Sequence, residues 1–79
     1  MTEIYLHANQ ITTLAVGTFT GLTNLQTLSL ENNLLTDLPA TIFNGLSSLV
    51  NLYLGMNQIA SLDAGLFTGL SNLGDLAIG

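Results

Sequence analysis

Every 24 residues this chain returns to the same pattern. Asn9, Asn33 and Asn57 fall in one column, Phe19, Phe43 and Phe67 in another, and Gly21, Gly45 and Gly69 in a third. Leu22, Leu46 and Leu70 follow directly behind the glycines. A fixed period of this length marks a stack of like supersecondary units rather than a globule closed around one core. Written in register, full units cover 1–24, 25–48 and 49–72, and 73–79 begins a fourth, so all 79 residues read as one domain.

Within each unit, a short stretch alternates apolar with other residues: Ile4-Tyr5-Leu6, Leu28-Ser29-Leu30, Leu52-Tyr53-Leu54 and Leu76-Ala77-Ile78. Alternation over so few residues predicts a short strand with one buried face. No such strand is stable alone, but stacked in parallel at about 4.8 Å they form a ladder. The asparagine column comes where the chain must bend away from that ladder and leave backbone groups unpaired. A buried carboxamide carries donors and an acceptor together, so these side chains are expected to bridge successive turns. Ile11, Leu35 and Ile59, then Leu14, Leu38 and Leu62, fill the middle of the slab, and the phenylalanines stack on the returning limb. The glycine column calls for positive φ or a close approach between coils. Thr, Asn, Ser and Gly crowd the return, which predicts turns or single helical turns on that side.

Leu25-Gln-Thr-Leu28-Ser-Leu30-Glu-Asn-Asn33-Leu-Leu35-Thr-Asp-Leu38-Pro39 fits L-x-x-L-x-L-x-x-N-x-L-x-x-L-P. Here the chain resembles the leucine-rich repeat family, in the 24-residue form common in extracellular receptors and matrix proteins, and the likeness runs its whole length. The resemblance implies an α/β solenoid: an arc with a parallel concave sheet and an irregular or short-helical convex side. It also implies a non-catalytic role, a protein or peptide ligand on the concave face, and an extracellular or cell-surface location.

Charge narrows the partners independently. The chain has no lysine or arginine against five acids, Glu3, Glu31, Asp37, Asp63 and Asp75, for a net charge of −5 at pH 7. Without cationic side chains it cannot neutralise phosphates, which excludes nucleic acid and anionic membrane surfaces as natural partners. No apolar run approaches membrane-spanning length. There is no cysteine, and one histidine is too few for a metal cluster. The acids fall in no calcium-loop spacing, so no metal or cofactor is expected.

The outward strand positions vary while the core columns stay uniform. Successive rows read Glu3, Thr27, Asn51, Asp75; then Tyr5, Ser29, Tyr53, Ala77; then His7, Glu31, Gly55, Gly79, with Ala8, Asn32 and Met56 beside them. The candidate ligand face is accordingly Glu3, Tyr5, His7, Ser29, Glu31, Asn51, Tyr53, Met56 and Asp75, with the two tyrosines best suited to recognition. His7 and Glu31 share a row on neighbouring strands, so their side chains are within reach of each other. Ser29 lies diagonal to His7, yet an open sheet supplies neither an oxyanion hole nor a dry pocket, and catalysis is not expected.

Repeat stacks usually close their ends with polar caps. None is visible, and the expectation is two apolar end faces: Ile4, Leu6, Leu14 and Phe19 at one, Leu73, Leu76 and Ile78 at the other. Such ends complement each other, so copies of the chain stacking head to tail into an oligomer or filament are the alternative to ligand binding.

Overall fold

Four three-residue strands pair in sequence order into one parallel sheet: β1 (Glu3–Tyr5), β2 (Thr27–Ser29), β3 (Asn51–Tyr53) and β4 (Asp75–Ala77). The computed structural model describes residues 2–59, 62 and 65–78. The register follows the sequence period without a slip, with Glu3 opposite Thr27, Thr27 opposite Asn51 and Asn51 opposite Asp75. Hydrogen bonding extends past the strands themselves. Leu6 N–H donates to Ser29 O at 2.8 Å, Leu30 N–H to Tyr53 O at 2.8 Å and Leu54 N–H to Ala77 O at 2.7 Å. Each strand alone would be marginal, and the ladder is what gives it permanence.

One row of side chains points inward from the sheet, and its burial grades with position in the stack. Leu28 and Leu52 are fully buried, Ile4 is half-buried and Leu76 is 39% exposed. Behind that row, Leu25, Leu30, Leu35, Leu46, Leu49, Leu54 and Leu66 are all closed from solvent. Phe19 stacks on Phe43 with ring centroids 6.5 Å apart, and Phe43 on Phe67 at 6.3 Å, which confirms the phenylalanine spine. With no cysteine to cross-link it, the slab is held by this packing and by hydrogen bonds.

The asparagine column does what a carboxamide at that bend should do. Asn33 Nδ2 donates to Leu6 O of the preceding coil and to its own Leu30 O, both at 2.9 Å, while its Oδ1 accepts from Ile11 N–H at 3.2 Å. Asn57 repeats the arrangement one coil on, with Leu30 O at 3.0 Å, Leu54 O at 2.9 Å and Leu35 N–H at 3.0 Å. Asn9 is exposed and bonds within its own coil, to Leu6 O and His7 O. The carbonyls of Leu6 and Leu30 each accept from two asparagines, so the column is one continuous chain of hydrogen bonds.

The return side is built from turns, the irregular alternative of the expectation, and the short-helical alternative is not met, since there is no helix among the described residues. The reason lies in the hydrogen bonds. Thr18 donates to Ala15 O, Thr20 to Gly17 O and Leu22 to Phe19 O, each closing a turn but skipping the residue between. A 3₁₀-helix needs such bonds on consecutive residues. Gly21, Gly45 and Gly69 close these limbs at φ of 85°, 85° and 88°. A Cβ there would meet nothing within 4 Å, so the column exists for its backbone angle and not for space.

Candidate functional site

The outward face of the sheet gathers the residues that vary from coil to coil. Its first row is Glu3, Thr27, Asn51 and Asp75, and its second is Tyr5, Ser29, Tyr53 and Ala77. The face is not flat. Thr27 and Ser29, in the middle of the stack, are 8% and 2% exposed although they point away from the core. Short side chains flanked by taller ones form a covered floor: Tyr5 and Tyr53 stand on either side of Ser29, and Asn51 Nδ2 donates to Thr27 Oγ1 at 3.2 Å.

Two carboxylates are held at the margins of that floor. Glu31 is half-buried and its Oε1 accepts from Ser29 Oγ at 3.2 Å. Asp75 is exposed and its Oδ2 accepts from the Tyr53 hydroxyl at 3.3 Å. Partial desolvation, then the charge and hydrogen bond of Asp75, and further the charge of Glu31, hold the Tyr53 phenol above its ordinary range. Each carboxylate is thus positioned by a neutral hydroxyl, and its charge is not balanced by the contact that fixes it.

The expected approach of His7 to Glu31 is not among the contacts of the described residues. His7 instead meets Tyr5 edge-on, with ring centroids 6.3 Å apart at 79°. Ser29 donates to Glu31 rather than facing a histidine, so no nucleophile–base pair forms. Among the described residues no group of three or more His, Asp or Glu side chains is arranged to hold a metal ion. Gly79 and Asp63, noted in the sequence as row and acidic positions, lie outside the described residues.

Met56, expected on the ligand face beside the third row, has a backbone that the pattern does not announce. Ala8, Asn32 and Met56 occupy the same place in successive coils, and all three have left-handed φ, at 58°, 59° and 58°. Asn tolerates that region, whereas a longer unbranched side chain does so only under strain. Met56 is also 70% exposed, the most open of the large apolar residues alongside Val16 at 62% and Tyr5 at 56%. The presence of asparagine in that column was the available signal.

At the stack ends, Ile4, Leu6, Leu14 and Leu73 are half-buried, and Leu76 and Ile78 are 39% and 50% exposed. Phe19 departs from the expected apolar end, being 2% exposed with its ring stacked on Phe43.

A sequence model of the leucine rich repeat matches residues 1–59. The chain belongs to the leucine-rich repeat family. A comparison with curated proteins gave no match. Leucine-rich repeat domains generally mediate protein–protein interaction and are generally non-catalytic, and the parallel strand ladder with its asparagine chain is the frame this repeat requires. No helix of the described residues is long and apolar enough to cross a membrane.

Proposed function

We propose that this leucine-rich repeat chain is a non-catalytic binding module that takes a protein or peptide on the outward, concave side of its sheet. The observation that carries this reading is the contrast between the two faces of one ladder. Inward, the strands repeat Leu and Ile; outward, they present Tyr5, Tyr53 and Met56 around a covered floor of Thr27 and Ser29. Tyrosine brings large contact area with little rotamer freedom to lose, and an exposed methionine adapts to irregular apolar surfaces. Glu3, His7, Glu31, Asn51 and Asp75 supply the polar surround that sets orientation.

Selection of a random dodecapeptide phage library on the immobilised chain tests this. Clones should bind the wild-type chain and lose the Tyr5→Ala/Tyr53→Ala variant, with the strand signal in circular dichroism unchanged. Clones that bind both equally, or no clones at all, would refute it.

A second reading is supported by the exposure of Leu76 and Ile78 on and beside β4, where another leucine-rich coil would continue the stack. In that reading the covering coil comes from a second copy, and the chain self-associates end to end into an oligomer or filament. Ile78→Glu separates the two in sedimentation velocity across a dilution series. The binding-module reading expects the same species before and after the substitution, whereas self-association through this end expects dissociation.

A further inference from the structure

The sheet face carries charge of one sign. Glu3, Glu31 and Asp75 lie on it, His7 is its one side chain able to become cationic, and the chain has no lysine or arginine to supply compensation from elsewhere. Glu31 and Asp75 are each tied to a neutral hydroxyl, so they are held in place while their charge stays available. Of the two tyrosines, Tyr53 stands between them, and Tyr5 lies one coil beyond Glu31. The strands of the tyrosines are two apart in the ladder, about 9–10 Å, with the covered Ser29 between.

Independently, Met56 keeps an apolar side chain 70% exposed at a left-handed backbone position where asparagine, as in Asn32, would be at ease. Ala8 holds the same angle with a short side chain, so the coil imposes the backbone, and it is the long, exposed apolar side chain of Met56 that points to use on the surface. The side chains that satisfy apolar contact and negative charge together are those of lysine and arginine. Their methylene stems lie along apolar and aromatic surface, their heads reach carboxylates, and a guanidinium also stacks on a tyrosine ring.

We propose that the occupant of this face is a basic segment of a partner protein, laying arginine or lysine over Tyr53 toward Glu31 and Asp75 on the coils to either side, with its stem against Met56. This deepens the binding-module reading and rests on it. Nucleic acid is excluded by charge sign, since the face would repel phosphates.

The test uses the peptides recovered on the wild-type chain and the full chain as receptor. They should be enriched in Arg and Lys over the starting library. Glu31→Gln and Asp75→Asn should each raise the dissociation constant about two- to fivefold, the range for charge pairs at an exposed surface. Asp37→Asn, which alters a carboxylate bonded to Leu38 N–H in a loop after the β2 coil turn, should change it less than about twofold. Raising salt from about 0.1 M to about 1 M, where the Debye length falls from about 10 Å to about 3 Å, should weaken binding several-fold. Peptides that need the tyrosines but are neutral, acidic or indifferent to Glu31 and Asp75 would overturn this inference and leave the binding-module reading standing. An equal effect from Asp37→Asn would reduce the attraction to net charge and also overturn it. Peptides indifferent to the tyrosines would overturn both.

Discussion

Asn33→Ala should cost far more than Asn9→Ala, although both remove the same side chain from the same column. Asn33 is 3% exposed and ties two coils: its amide donates to Leu6 O and Leu30 O, and its oxygen accepts from Ile11 N–H. Truncation does not orphan the two carbonyls. Leu6 O keeps its bond from Asn9 and Leu30 O keeps its bond from Asn57. What is lost is three donated hydrogen bonds, to Leu6 O, Leu30 O and, at 3.3 Å, Glu31 O, at about 1 kcal/mol each, plus about 1–2 kcal/mol for an Ile11 amide left without its acceptor. The expected loss is about 4–5 kcal/mol, a large share of what a domain this size possesses. Asn9, exposed and bonded only within its coil, should cost about 1 kcal/mol or less because water replaces what the alanine removes. Urea titration followed by far-ultraviolet circular dichroism measures both, with unchanged slopes confirming that the same surface is exposed. Should Asn33→Ala fall below the limit of folding, the small loss at Asn9 still tests the position dependence. Equal losses at the two sites would refute the claim that inter-coil bridging, and not the asparagine itself, stabilises the stack.

Other expectations follow from single positions. Gly45→Ala should destabilise by about 1–2 kcal/mol in the same titration, from backbone strain alone, since φ is 85° and a Cβ meets no atom within 4 Å. Met56→Asn, which copies Asn32, should stabilise by about 0.5–1 kcal/mol while weakening peptide binding, so that thermal midpoint and affinity move in opposite directions. Phe43→Ala should cost about 3–5 kcal/mol and Phe67→Ala clearly less, because Phe43 is buried between two rings whereas Phe67 is half-buried and has one ring contact given by the stack. Tyr53's raised phenol makes the neutral form the one the fold prefers. Its contribution is therefore intact below about pH 10 and lost as pH climbs through the folded-state value. Absorbance titration at alkaline pH should show its ionisation moving down in Asp75→Asn, and an unmoved curve would count against the Tyr53–Asp75 contact.

The ladder was legible in the sequence because a fixed period leaves little freedom. Once Leu28 and Leu52 share a column, a one-residue register slip would turn one of them outward, and the observed pairing is the register the columns dictate. The asparagine chain was legible for a similar reason, since the bend creates a known deficit of partners and Asn33 meets it. The return limb was less so. Whether its turns merge into a helical turn depends on which carbonyl each amide finds, a choice of one residue that composition does not encode. On the sheet face, the rows told which residues would be neighbours but not which would touch. His7 turned to Tyr5 and Glu31 to Ser29 because side-chain rotamers, not strand register, decide among partners within reach. The covered floor also followed from relative heights: Ser29 is hidden by its neighbours, so a position that points outward in the pattern is not an exposed one.

The most direct test of the account is the dissociation constant of a library-selected peptide for the wild-type chain and for Tyr5→Ala/Tyr53→Ala. If the outward sheet face is the binding surface, the double variant should weaken binding at least about thirtyfold, the loss expected when a hot spot of about 2 kcal/mol or more is removed, with the urea midpoint little changed. A dissociation constant within about twofold of wild type would contradict it.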